Sequence, residues 1–216
     1  MSELRQSGFV VTEGPFAFNK ISKIAADYDR SFALTPAARI KRGRTSTRWG
    51  GLAASEPFHH IYLHPALLSA ASERIGGPMK LSSFFARTLL PDVAADPPHQ
   101  DVAPGADGYP LVGFIFMVDE FRVENGATRF IAGSQNGPQP SVDAVACDAC
   151  GRAGSMLIFD GATWHGHGAN RTDRPRRSIQ GAFIPQDHTA ACCWADEVSV
   201  GQANGLPADA RRLLGL

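Results

Sequence analysis

The sequence predicts a mainly β protein, a sandwich or jelly roll with flanking helices. Three observations point there. Glycine (22) and proline (15) supply 37 of the 216 residues, about 17% against an average near 12%, which implies many turns. From residue 81 onward, short apolar runs alternate with Gly/Pro-rich breaks, the texture of many short strands. Hydrophobic residues are 44% and charged residues 19%, and at this length one core can form in a single domain.

Residues 1–80 read as mixed and partly helical. Ala25 to Phe32 and His64 to Ile75 carry apolar groups at helical spacing, and Pro65 suits a first helical turn. Between them runs Arg39-Ile-Lys-Arg-Gly-Arg-Thr-Ser-Thr-Arg48, with five positive charges and no acid. A solvated, flexible loop is the plain expectation; a grip on an anionic substrate is the functional one. Leu81 to Leu90 reads as a strand stopped by Pro91, and Asp92 to Pro98 as a loop. Leu111 to Val118 is apolar on both faces and therefore central. Glu124-Asn-Gly126 is a turn signal, because Asn-Gly tolerates left-handed backbone angles. Further strands are expected at Ala127 to Ile131, Ser155 to Phe159, Trp164 to Gly168 and Arg177 to Ile184, with a turn at 170–175. The expected layout is one domain over 1–216: a mixed part at 1–80, a jelly-roll core at 81–185 and a tail at 186–216 with a short helix at Ala208 to Leu214.

Charge narrows the function. Lys+Arg and Asp+Glu are both 21, so the basic excess of a nucleic-acid binder is missing. No apolar run approaches the ~18 residues of a membrane helix. The start, MSELRQSGF, lacks the layout of a secretory signal, so a cytoplasmic protein with a small-molecule substrate is expected. The four cysteines, Cys147, Cys150, Cys192 and Cys193, then read as reduced thiols. Cys147 and Cys150 form a C-x-x-C without the second pair of a zinc site or the helical context of a redox motif.

Two short motifs carry chemistry. In Pro97-Pro-His99-Gln-Asp101 the residues i and i+2 of an extended backbone face the same side, so His99 and Asp101 can offer a nitrogen and an oxygen to one ion. Alone, such a pair is common on exposed loops. The second motif, Trp164-His165-Gly-His167-Gly-Ala-Asn170, begins its histidines 64 residues after Asp101. Two His and one carboxylate form the facial triad of non-haem Fe(II) oxygenases. Arg176 follows eleven residues after His165 and offers a fork that matches a carboxylate. Ser178 lies on the same strand face and could add a hydroxyl. The bland alternative is a solvated basic turn.

Together these segments resemble the phytanoyl-CoA dioxygenase family of Fe(II)/2-oxoglutarate oxygenases. The matching pieces are His99-Gln-Asp101, Glu124-Asn-Gly-Ala-Thr-Arg-Phe-Ile-Ala-Gly-Ser134, Gly154-Ser-Met-Leu-Ile-Phe, and His165-x-x-Gly168-x-Asn170 with Arg176, over roughly residues 81–185. The resemblance implies a double-stranded β-helix, the cupin-like jelly roll. It implies metal ligands at His99, Asp101 and His165, and a 2-oxoglutarate-binding arginine at Arg176. His167 shares a strand face with His165 and competes for the distal ligand role; the family pattern favours His165. Gly113, Ile115 and Thr128 are expected beside the co-substrate, although Ile115 serves equally as core. The family's Pro-Gly-Ser-His loop departs here to Ala132 and Gln135. Halogenating relatives replace the carboxylate by a small residue, so Asp101 implies hydroxylation, or a related oxidation such as desaturation or ring formation. The implied chemistry consumes O2 and 2-oxoglutarate and releases succinate and CO2. A jelly-roll lyase or isomerase without 2-oxoglutarate, and a non-catalytic scaffold, are the competing readings. Arg44, Arg48, Trp49, His59 and His60 are candidates for the substrate side, with Trp49 as a wall on a mobile lid.

Overall fold

Among the residues described by the computed structural model (2–103, 108–141 and 143–216), ten strands build two antiparallel sheets. The larger sheet runs, in spatial order, β1 (Phe9–Glu13), β8 (Ser155–Asp160), β5 (Val112–Met117), β10 (Arg176–Pro185), β4 (Met79–Leu89), β3 (Ser46–Trp49) and β2 (Lys41–Arg42). The smaller runs β7 (Cys147–Ala149), β6 (Thr128–Phe130) and β9 (His165–His167). The two face each other as a jelly roll.

The alternation of side chains along each strand explains both layers. One face of the large sheet, with Phe114, Phe116, Ile179 and Phe183, packs against helices through Tyr28, Leu67 and Leu213. The other face, with Ile115, Met117, Leu157 and Phe159, meets Phe121, Phe130 and Ala149 from the small sheet and its connections. Strand β5 is buried along its whole length, as its unbroken apolar run predicts for a central strand.

The helices follow their sequence signals. Helix α1 spans Ser2–Ser7, α2 Ile21–Leu34, α3 His59–Tyr62 and α4 Pro65–Ile75. In α4 the proline occupies the first turn, Leu67, Ala70 and Ala71 form the buried stripe, and Gly76 closes the end with a φ of 73°, which a glycine adopts without steric cost. The tail folds as α5 (Trp194–Glu197), α6 (Val200–Gly205) and α7 (Ala208–Leu214). Ser199 and Gln202 cap α6 reciprocally.

Three expectations need correction. The basic stretch 39–48 is not a flexible loop: it supplies β2 and β3, which extend the large sheet from β4. Its small and β-branched residues, Ser46 and Thr47, are buried while Arg48 is exposed. The sheet is also not confined to residues 81–185, because β1, β2 and β3 all come from the first 80 residues. Trp49 is not on a lid either. Its indole lies edge-on to Tyr28 and Phe32 and its N–H donates to Ser31 Oγ at 3.0 Å. All four cysteines are free thiols.

Gly113 shows how tightly the inner face is filled. It pairs directly with Phe159, and a Cβ at Gly113 would lie 2.2 Å from that ring. A Gly113→Val variant should therefore lose about 1–3 kcal/mol, the usual penalty of overpacking, read from the midpoint of urea unfolding.

Candidate functional site

The site forms where one loop is stitched onto β9. The segment from Val93 to Asp101 runs antiparallel to the 165–170 segment. Val93 and Asn170 exchange backbone hydrogen bonds at 3.0 Å, and His99 and His165 exchange a pair at 2.9 Å. The Asp96 N–H donates to the His167 carbonyl at 3.1 Å and the Asp101 N–H to the Gly161 carbonyl at 2.8 Å. Gly166 permits the close approach, since a Cβ there would sit 3.1 Å from the Asp96 carbonyl oxygen.

This pairing brings His99, Asp101 and His165 together, with one potential ligand atom from each lying within 4.8 Å of the other two. Asp101 Oδ2 is 3.8 Å from His165 Nε2, and Asp101 Oδ1 is 3.9 Å from His99 Nε2. These separations are too long for hydrogen bonds, so the three groups converge on a space instead of satisfying one another. His165 is held rigidly. Its ring stacks on Phe130 at 5.4 Å and tilts against Phe159 at 4.7 Å. Its Nδ1–H donates to the Thr163 carbonyl at 2.9 Å, which leaves the Nε2 lone pair directed at the cluster. Burial pulls its pKa down, partly offset by Asp101, so the neutral, ligating form is favoured.

His167 lies apart from that cluster. Its Nδ1–H donates to the Gly168 carbonyl at 2.8 Å, and Nε2 faces the Asp96 carboxylate at 2.9 Å. Nδ1 is thus occupied, while Nε2 is buried without a hydrogen bond and stands outside the His99–Asp101–His165 cluster.

A cavity of about 360 Å³ opens beside the cluster. Its wall includes Ile115 and Thr128, but not Gly113, together with His167, Arg176 and Arg87. Arg176 is only 2% exposed, and its Nε and Nη1 have no hydrogen-bond partner. Its guanidinium carbon sits 3.7 Å from the centre of the Phe121 ring. Burial, with Arg87 adding to it, pushes its pKa down to about 9, so it stays cationic near neutrality. Ser178 stands behind the cavity wall: its hydroxyl donates to the Arg87 carbonyl at 3.2 Å and accepts from Gln180 Nε2 at 3.2 Å.

Arg87 is the residue that sequence reasoning missed. It lines the same cavity, its Nε is buried without a partner, and Asp96 lies 3.6 Å from its guanidinium. The strand register puts it opposite Ser178, one position along β10 from the Arg177 that ion-pairs outward with Asp119 and Asp29. A periodicity argument on β4 would have placed it on the inner face. Of the proposed substrate-side residues, Arg48 reaches this cavity, whereas Arg44, His59 and His60 do not line it. His59 and His60 gather instead around Glu56, at 3.3 and 3.6 Å. Tyr109 lines the cavity; residues 104–107, just before it, lie outside the described residues.

The family model for phytanoyl-CoA dioxygenase (PhyH) matches residues 4–178. The chain belongs to the phytanoyl-CoA dioxygenase family. Among curated proteins it is similar to dioxygenase andF of Emericella variicolor, 31% identical over 145 residues, covering 60% of this chain and 49% of that one. It is also similar to dioxygenase trt7 of Aspergillus terreus, 27% identical over 208 residues, 86% and 72% of the two chains. The chain thus spans about half the length of andF. Among solved structures it shares its fold with SnoN, a non-haem α-ketoglutarate-dependent epimerase from nogalamycin biosynthesis, at a TM-score of 0.69, 21% identity and coverage of 85% and 81%. It shares it equally with HygX of Streptomyces hygroscopicus, crystallised with nickel, 2-oxoglutarate and hygromycin B, at a TM-score of 0.71, 16% identity and coverage of 87% and 86%.

The departures from the family's loop pattern are structural in this member of the phytanoyl-CoA dioxygenase family. Gln135 donates to the Arg5 carbonyl at 3.0 Å, and Ser134 Oγ accepts from the Trp164 N–H at 2.9 Å. That contact fixes the approach to His165. Asn170 does the same for the approach to Arg176. Wholly buried, it donates to the Leu90 and Arg174 carbonyls at 3.0 and 2.8 Å and accepts from the Thr172 N–H and hydroxyl at 3.1 and 2.7 Å. Asn170→Ala strands several buried groups at once and should lower stability by about 2 kcal/mol. Denaturant unfolding checks this, and Thr172→Val, which removes only one of those bonds, should lose less.

Proposed function

We propose that this chain is an Fe(II)/2-oxoglutarate-dependent oxygenase that hydroxylates a small molecule. The observation that carries the reading is the orphaned guanidinium of Arg176, buried on the wall of the cavity onto which His99, Asp101 and His165 converge. A buried cation without a partner is costly, and a carboxylate on a bound ligand removes that cost.

The residues present fit the groups this chemistry needs. Two imidazoles and one carboxylate are the donor set of a non-haem Fe(II) site and leave further positions open. In this reading His99, Asp101 and His165 hold the iron. Arg176 receives the far carboxylate of 2-oxoglutarate, and Arg87 adds a second positive charge. Iron, 2-oxoglutarate and O2 together supply the oxidising power, and succinate and CO2 leave. The protein's part is positioning and exclusion. Phe130 and Phe159 clamp His165 and keep its surroundings apolar. Thr163 holds its tautomer. Ile115 and Leu111 close the inner wall against water. The His167 carbonyl, which accepts from the Asp96 N–H, ties down the loop that carries His99.

The test is anaerobic addition of Fe(II) and then 2-oxoglutarate, followed by visible absorption. The wild-type protein should bind iron and develop a weak charge-transfer band. His99→Ala, Asp101→Ala and His165→Ala should each weaken iron binding by more than the roughly 10–100-fold expected on losing an outer partner. His167→Ala should stay within that range. Arg176→Ala should still bind iron but need about 100-fold more 2-oxoglutarate, the usual scale for removing one partner of a buried charge pair. Iron binding without the band in wild type would favour a 2-oxoglutarate-independent lyase or isomerase; no iron binding would favour a scaffold.

A further inference from the structure

Three adjacent strands place cations side by side. In the β2–β3 register Lys41 stands directly opposite Arg48, and in the β3–β4 register Arg48 stands directly opposite Arg87. Directly opposed residues share a sheet face and lie in contact range, and like charges there repel. Arg87 is indeed disfavoured as a cation by Arg48, after the larger effect of burial. Among the described residues no carboxylate pairs with the outer two. Among the described residues Arg39, Lys41 and Arg48 have no acidic oxygen within 4.0 Å, whereas Arg87 has Asp96.

The row follows a path. A second cavity, of about 650 Å³, lies between the β2–β3 hairpin and the 191–197 segment. Arg39, Lys41 and Arg48 line it, and it shares Arg48, Ser83 and Phe85 with the cavity beside the His99–Asp101–His165 cluster. Phe85 supplies an apolar surface common to both, with the Arg48 guanidinium 5.9 Å from its ring centre. The acids on the far wall are Asp196 and Glu197, and Glu197 is turned onto the Gly51 N–H at 3.1 Å.

Edge protection explains only part of this. Lysine on an outer strand such as β2 deters edge-to-edge pairing. That accounts for Lys41 but not for Arg48, which lies on the next strand inward, opposite a third cation.

We propose that the substrate is an oxyanion: an apolar or aromatic body that spans the two cavities past Phe85, with its carboxylate or phosphate ester held by Lys41 and Arg48. This rests on the reading of the inner cavity as the reaction site. It puts the recognised charge at one end of the substrate and the reacting carbon at the other.

Calorimetric titration tests it on protein free of iron and 2-oxoglutarate, so that the result is independent of the proposed chemistry. The probes are 3-phenylpropionate, phenyl phosphate and the uncharged 3-phenylpropan-1-ol. At least one acid should bind about tenfold tighter than the alcohol, as a charge-assisted contact implies, and added salt should erode the preference. A stronger response to phenyl phosphate assigns a phosphate ester; a stronger response to phenylpropionate assigns a carboxylic acid. The preference should disappear in Lys41→Ala and Arg48→Ala, return in part in Arg48→Lys, and survive in Arg176→Ala. Equal binding of acids and alcohol, no acid binding at millimolar concentration, or a preference that survives both Ala variants would overturn the proposal. So would a preference lost with Arg176→Ala, because the acids would then occupy the inner cavity.

Discussion

The backbone pairing of residues 93–101 with the 161–170 segment is the constraint on which the site depends. Neither segment is a long strand. The first is a Pro-rich loop and the second is three residues of β9 with its flanks. Six main-chain hydrogen bonds, from Val93 to Asp101, nonetheless tie them together. Because His99 and His165 are paired residues of this ladder, their rings fall on one face at a centroid distance of 4.7 Å. A register slip of one residue would send both His99 and Asp101 to the opposite face and leave His165 without either. The pairing therefore determines the donor set more directly than any side-chain contact does.

What anchors that ladder lies outside the cluster. Gly161 receives the Asp101 N–H while its own N–H donates to the Leu111 carbonyl at 2.8 Å. Asp160 accepts from the Ala162 N–H at 3.0 Å and from Arg74 Nε at 2.5 Å. The turn leading into β9 is thus pinned both to the central strand β5 and to helix α4. At the other end Asn170 holds the turn toward β10, where Arg176 begins the strand. Sheet, helix and turn converge on a short stretch of chain, and this is why a site made from loop residues can be rigid.

Much of this was legible in the sequence because it rests on local rules. The i, i+2 spacing of His99 and Asp101 needs only an extended backbone. The central position of β5 follows from an apolar run on both faces, and α4 from Pro65, its apolar stripe and Gly76. The choice between His165 and His167 was not local. Alternation gives both the same face, and only the third dimension shows His165, and not His167, beside His99 and Asp101. Arg87 was half legible: alternation along β4 gives its face, but only the register sets it beside Arg48 and opposite Ser178. Strands β1, β2 and β3 were missed because each is short. The sheet recruits them by pairing with β8 and β4, and their own propensity is secondary.

The charges of the site have one consistent physical meaning. Arg176 is buried and Arg87 half-buried, both carry unpartnered N–H groups, and Arg87 further lowers the preference of Arg176 for the charged form. In a protein held together by a margin of only about 5–15 kcal/mol, such an arrangement is a standing cost of the ligand-free state. Only an anion entering the cavity removes it, and whatever binds the folded form alone adds its binding free energy to stability. The same electrostatics that select an acidic ligand therefore make the filled site the better-folded one. The aromatic box around His165 works in the same direction. By excluding water it raises the strength of every charge contact formed inside, so the pocket gains most from the ligand whose negative groups match its cations in number and position.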